Sequence, residues 1–325
     1  MIQNPNDRPV KDKKIRMLIA GYPGIGKSTL SLSAPAPLHV DVDFGIDRIE
    51  PQYRAPYIQP KDYEEIRHDL GMDVADKPDA LAAVKKELEP FQTIVIDTGG
   101  KMLTLMSQWA MKIDPKYGQR DGSLSLKGYG FVGREFQRFM DHCFYILDKN
   151  IVIVFHAIEE KDGDNVKLRI KVEGQTKNNV WEPMDLGGFV EIQGNTRTIG
   201  FSNCERYFAK GTRGVNGVYK IPTLEADTPN NFLTKLFEQY NAKSEAEVAM
   251  IAAGKAKYEA AMKAGTDLIV SVTDSDTATD AAQKLSALDH ALTSKDELRK
   301  LLADKVADLG LKWNKDTKSY EKVEA

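Results

Sequence analysis

The sequence predicts an α/β fold: a mainly parallel sheet covered by helices on both faces, followed by a helical C-terminal region. Three observations carry this. Short β-branched apolar runs alternate with helical patterns from Lys14 to His156, as buried parallel strands and their crossover helices do. A glycine-rich turn joins the first apolar run to the first helical pattern. Beyond about residue 225 the strand signals give way to long Ala/Lys/Glu stretches.

Residues 1–13 are polar and Pro-bearing and read as a flexible N-terminal tail. Residues 14–20 read as a strand, 21–28 as the turn and 29–34 as a helix, stopped by Ala34-Pro35-Ala36-Pro37. A second strand runs over 38–43 and a short third over 55–59, with helices at 62–70 and 79–88. The apolar run 93–97 ends in a carboxylate; a helix over 100–112, a polar loop, a long helix over 129–148 and a strand over 151–156 follow. Residues 166–172 alternate as a half-exposed strand does. Gly194-Asn195 signals a hairpin between 189–193 and 196–201, and 206–210 and 218–221 read as further strands, so the sheet is mixed. Thr228-Pro229 reads as the start of a helix reaching Tyr240, and a second long helix covers 244–264. Ser294 and Glu297 form a capping-box pattern, Gly310 a C-cap, and 313–320 a terminal hairpin. The domain boundaries so predicted are a tail over 1–13, a core over 14–222 and a helical region over 223–325.

Composition narrows the function. With 42% hydrophobic and 29% charged residues this is a globular composition. The net charge of −3 argues against coating nucleic acid by bulk charge, so any nucleic-acid site is a local patch. Cys143 and Cys204, the two cysteines, make neither a zinc spacing nor a disulfide framework. No apolar run reaches the roughly 18 residues of a membrane span, and residues 1–9 lack a signal peptide's apolar stretch. A cytoplasmic protein is expected.

The chemistry begins at the turn. Gly21, Tyr22, Pro23, Gly24, Ile25, Gly26, Lys27, Ser28 and Thr29 contain G-x-x-x-x-G-K-[ST], placed between a strand and a helix. Glycines let backbone N–H groups turn inward around phosphates, Lys27 reaches the β/γ-phosphates, and the Ser28 hydroxyl ligates Mg²⁺. Asp97, ending an apolar strand, is placed to hold the same Mg²⁺, or else to cap the next helix. Asp97-Thr98-Gly99-Gly100 matches the D-x-x-G of GTPases, but the guanine-reading N-K-x-D fails at Asn314-Lys315-Asp316-Thr317. Thr98 follows Asp97 where many ATPases carry Glu, so the carboxylate that orients the attacking water must come from elsewhere. Asp43, ending the second strand, is the candidate, with Asp41 and Asp47 as local competitors. His156 ends the strand over 151–156, where a polar side chain either reports nucleotide state or is satisfied structurally.

Together the turn at 21–28, Asp43, Asp97 and His156 resemble the RecA-like P-loop ATPases, and most closely the short phage-encoded nucleotide-binding proteins of that group. The likeness extends over 14–220 and is strongest in Gly21–Thr29 and in Val40-Asp41-Val42-Asp43-Phe44-Gly45-Ile46-Asp47-Arg48. It implies a RecA-like core that binds ATP and Mg²⁺, hydrolyses ATP and assembles into a ring or filament. A neighbour's cation then completes each site, and Lys210 and Arg213 are the candidates. Several members act as single-strand annealing proteins in recombination, so single-stranded DNA is the implied partner. Residues 112–138 carry six cations against three carboxylates, with aromatic residues interleaved, which suits phosphate contacts and base stacking. Lys116, Tyr117, Arg120, Lys127, Tyr129 and Arg134 are the candidate contacts. Two departures stand out: Asp43 is shorter than the Glu of the bacterial recombinase, and the acidic region 223–325 has no counterpart in the family core. That region leaves open a replication or recombination partner. It also leaves open a second function, a nucleotide-dependent loader or assembly protein acting through its C-terminal helices.

Overall fold

A computed structural model describes residues 13–162, 165–172, 176–225, 228–315 and 317–322. The predicted tail lies almost wholly outside the described residues. The chain forms two compact units, one through Lys243 and one from Ser244.

The first unit is built on a nine-stranded sheet in the order β3-β2-β4-β5-β1-β7-β8-β9, with β6 paired to β5. Its strands are β1 (Arg16–Gly21), β2 (Pro37–Asp41), β3 (Tyr57–Ile58), β4 (Thr93–Asp97), β5 (Asn150–Asp162), β6 (Asn165–Ile170), β7 (Leu186–Gln193), β8 (Thr196–Gly200) and β9 (Val218–Lys220). The strands from β3 to β7 in that order run parallel; β6, β8 and β9 are antiparallel to their neighbours. The sheet is therefore mixed, as expected. Residues 206–210, expected as a strand, make only isolated bridges, Leu168 with Tyr207 and Gly187 with Lys210.

Strand parity splits the core. Leu18, Ala20, Ile94, Ile96, Ile153 and Phe155 face α4 (Gly99–Ile113) and α5 (Leu126–Asp141). Met17, Ile19, Val95 and Val152 face Leu30 of α1 (Lys27–Ser31) and Leu233, Leu236 and Phe237 of α7 (Phe232–Val270). Successive strand residues point to opposite faces, so a strand buried on both sides reads as an unbroken apolar run. The remaining helices of this unit are α2 (Tyr63–Asp69), α3 (Pro78–Glu87) and α6 (Thr176–Trp181).

Two expectations are corrected here. The two long helices predicted over 229–240 and 244–264 are one, α7, and it starts at Phe232 rather than after Thr228. Its first N–H groups are capped from elsewhere in the chain: Leu233 N donates to Ser33 Oγ (3.0 Å) and Thr234 N to Ser33 O (3.0 Å). The unit boundary also falls at 243/244, not 222/223. The reason is that Leu233, Leu236, Phe237 and Tyr240 are buried against the sheet.

The second unit has its own core. Ile269 and Val272 pack with Ala278, Ala281 and Leu285 of α8 (Ser275–Ser286), with Leu298, Leu302 and Val306 of α9 (Ser294–Asp308), and with Leu311. The expected hairpin is present as β10 (Leu311–Asn314) and β11 (Ser319–Lys322), and Gly310 takes the left-handed conformation after α9 (φ +64°). The capping box read at Ser294 is not formed. Thr293 is the N-cap residue without a side-chain cap, and the Ser294 hydroxyl accepts from Ala291 N (3.2 Å).

Candidate nucleotide site

β1 delivers the chain to Gly21 with its last five residues buried. A Cβ on Gly21 would lie 2.8 Å from Val190 O on β7, so the strand can pass there only as glycine. The loop then turns through Gly24 (φ +78°) and Gly26 (φ +83°), left-handed conformations that favour glycine, and α1 starts at Lys27.

Lys27 is buried, its Nζ donating to Tyr22 O (2.7 Å) and lying 3.4 Å from His156 Nδ1. Burial lowers its amine to about 8, against an opposing pull from the Asp97 charge. Burial first, and Lys27 second, also hold the His156 imidazole below its ordinary value, while Asp43 and Asp97 pull the other way. Neutral His156 at pH 7 follows. The register pairs His156 with Gly21 across β5 and β1, which brings it beside the loop.

Asp97 ends β4, nearly buried. Its carbonyl accepts from Val42 N (2.8 Å) and Asp43 N (3.2 Å), tying the chain after β2 to the end of β4. The Asp97–Thr98 peptide is cis. Thr98, not Asp97, caps α4, its Oγ1 accepting from Lys101 N (3.3 Å). The Asp97 carboxylate is thus not used as a helix cap. The Asp97 carboxylate and the Ser28 hydroxyl are each hard oxygen donors of the kind Mg²⁺ takes, an ion that keeps several waters and phosphate oxygens and needs few protein ligands. Among the described residues there is no cluster of three or more His, Cys, Asp or Glu that would suit a transition metal.

The three aspartates after β2's apolar residues separate cleanly. Asp41 is buried, accepting from Gly45 N (2.8 Å), Ile46 N (3.0 Å) and Gln59 Nε2 (2.8 Å). Asp47 points outward, its side chain 90% exposed and 3.5 Å from Arg54. Asp43 faces a cleft of about 640 Å³ that it shares with Thr98, Lys101, Tyr129, His156 and Lys171, and it pairs with Arg48 (3.2 Å).

Arg197 on β8 is a neighbour that sequence reasoning missed. Its Nη1 donates to Ile25 O (3.4 Å) and would lie 2.1 Å from a Cβ on Gly26. Thr196-Arg197-Thr198 carries no motif; only the pairing of β7 with both β1 and β8 brings it to the loop.

The remaining candidates lie apart from the loop. Lys210 pairs with Gly187, which is level with Leu18 on β1, and its Nζ donates to Glu182 O (3.4 Å). Arg213 lies over the Tyr240 ring (5.4 Å), and its neighbour Thr212 donates to Asp185 O, level with Arg16. Both cations sit toward the strand ends away from the loop, so the structure does not bring them to their own chain's site. In the 112–138 patch, Lys116, Arg120, Lys127 and Arg134 are exposed, with no ion pair among the described residues. Lys112 pairs with Glu64, and Arg138 with the buried Glu135. Tyr117 is half-buried and already stacked on Phe131 (4.6 Å between centroids), which leaves it less free for a base than expected; Tyr129 lines the Asp43 cleft.

Sheet order, the loop between β1 and α1, and acidic strand ends beside it define a P-loop nucleotide-binding protein of the ATPase class. The chain belongs to the family described as AAA domain, whose model matches residues 13–213, more than half of it. Among solved structures it is similar to a type III secretion system ATPase of pathogenic bacteria, at 12% identity and TM-score 0.30, over 55% of this chain and 51% of that one. It is also similar to the flagellar accessory protein FlaH of Methanocaldococcus jannaschii, at 12% identity and TM-score 0.32, over 64% and 90%. The chain thus spans about half the length of the secretion ATPase. No curated protein matches it. No helix among the described residues is long and apolar enough to cross a membrane.

Proposed function

We propose that this protein hydrolyses ATP in the RecA-like manner, binds single-stranded DNA and promotes annealing or recombination. The observation that carries the hydrolytic part is the grouping around the loop of Lys27 at the start of α1, His156 on β5, Asp97 at the end of β4 and Asp43 just beyond β2. In this reading, phosphate oxygens replace Tyr22 O as acceptors for Lys27, whose ammonium neutralises charge developing on the γ-phosphate. Ser28 and Asp97 hold Mg²⁺, which when bound supplies the remaining charge neutralisation. Asp43 accepts a hydrogen bond from the attacking water and orients it, and neutral His156, touching Lys27, relays occupancy to the chain beyond β5. Lys210 or Arg213 arrives from a neighbouring copy, which agrees with their distance from their own loop.

The DNA part rests on the exposed cations of 112–138, and on the cleft that joins Asp43 and His156 to Ser123, Leu124 and Tyr129 of that segment. ATP turnover with and without single-stranded DNA, beside Lys27→Ala, tests the whole reading. The expected result is turnover stimulated by single strands and lost in the variant. Undiminished turnover in Lys27→Ala overturns the site.

A second reading is favoured by the separate core of the 244–325 unit. In it the protein is a nucleotide-dependent loader whose C-terminal helices hold a replication partner. Turnover indifferent to DNA, with partner binding lost on truncation after Lys243, would select it.

A further inference from the structure

His39 is an anomaly in the first core. It is fully buried, and neither ring nitrogen has a hydrogen-bond partner among the described residues. Buried polar atoms are almost always paired, and leucine would fill a similar volume without an unmet donor and acceptor. The ring stands on β2 two residues before Asp41, which the register sets beside Asp97. Its Nε2 lies 3.8 Å from Asp97 Oδ2. That is beyond a hydrogen bond, and a shift of about 1 Å by either side chain closes the gap.

We propose that His39 is a positioning residue for Asp97: Nε2–H donates to Oδ2 and fixes the carboxylate in the orientation from which it meets Mg²⁺ with nucleotide. The inference rests on the reading of Ser28 and Asp97 given above. The Asp97 carboxylate caps no helix. A donor from His39 fixes its orientation, as carboxylates that ligate metals are themselves held by hydrogen bonds. Asp41, the other carboxylate on this face, is saturated by Gly45, Ile46 and Gln59 and offers His39 no alternative. The Asp97 carboxylate is the charged group within reach.

The test separates metal from nucleotide. Mn²⁺ affinity is read by electron paramagnetic resonance on the full chain with a non-hydrolysable ATP analogue. Metal-free nucleotide affinity is read with a fluorescent ATP analogue in chelator. His39→Leu removes the donor at similar volume, and His39→Gln keeps a donor. The expected result is Mn²⁺ affinity about tenfold weaker in His39→Leu, largely recovered in His39→Gln, with metal-free nucleotide binding unchanged in both. Unchanged Mn²⁺ affinity in His39→Leu overturns the proposal. An equal loss of metal-free binding also overturns it, because it marks a structural role. If His39→Leu does not fold, the wild-type ¹⁵N resonances of the His39 ring decide. A shift of Nε2 on adding Mg²⁺ and analogue, absent in Asp97→Asn, supports it, and an unmoved resonance overturns it. A wild-type chain that binds no nucleotide sinks the P-loop reading itself, an outcome distinct from bound nucleotide with indifferent metal.

Discussion

Lys27 couples the site to pH. Its amine is lowered to about 8 by burial, and phosphates bound against it favour the charged form. The free protein therefore holds the proton below about pH 8 and must take one up to bind nucleotide above it. Nucleotide affinity is expected to be level through pH 7 and to weaken above about 8, by up to tenfold per unit. Titration calorimetry between pH 6.5 and 9.5 checks this, and an affinity that strengthens with pH contradicts it. Asp43 is the other residue whose environment is decisive. Asp41 is consumed by the turn it caps and Asp47 faces solvent, so in the proposed mechanism Asp43 is the carboxylate left to orient the water. Asp43→Asn is expected to lower turnover by about a hundredfold or more while nucleotide affinity stays within a few-fold. Loss of both together would mean that Asp43 holds the fold rather than the water.

Among the elements, α7 shows how local sequence and tertiary context divide the work. Thr228-Pro229 is a sound local start signal, yet the helix begins at Phe232 because Ser33 supplies the partners for its first amides. Ser33→Ala leaves Leu233 N, on a fully buried residue, without its acceptor. The expected cost is about 1–2 kcal/mol, read as a lower midpoint in urea unfolding with the slope unchanged. The sequence pattern predicts no helix over α8, although Asp274 and Thr277 form a capping box at its start. The short, Ala/Thr-rich segment has too few large apolar residues for its period to show, and its Ala278 and Ala281 are buried because the neighbours approach closely.

For the whole molecule, the boundary at 243/244 is a statement about stability. A chain ending at residue 222 lacks Leu233, Leu236, Phe237 and Tyr240, each less than 5% exposed in the intact protein. Losing buried side chains of this size costs about 2–5 kcal/mol apiece, beyond what a marginally stable domain tolerates. Truncation after residue 222 is expected to abolish cooperative unfolding, and truncation after residue 243 to keep it, as circular dichroism melts would show. Equal melts would place the boundary where composition alone put it. The position of Lys210 and Arg213 toward the far strand ends belongs to this scale too, since a site completed by them requires a second copy.

The sequence by itself determined the phosphate-binding loop, because its chemistry depends on consecutive residues, and most of the parallel strands, because burial on both faces leaves an unbroken apolar run. It also placed Asp97 at the end of its strand; Asp43, expected as a strand end, lies two residues beyond β2, and β5 continues past His156 to Asp162 because β6 pairs with that extension. What only the tertiary structure decided depends on residues far apart in the chain. The pairing of β7 with both β1 and β8 sets Arg197 against Gly26. The pairing of β2 with β4 sets buried His39 beside Asp97. The turn at Gly45 takes Asp41 out of competition. No local period or spacing records such contacts, because a strand's neighbours are chosen by the whole sheet and not by the residues on either side of it.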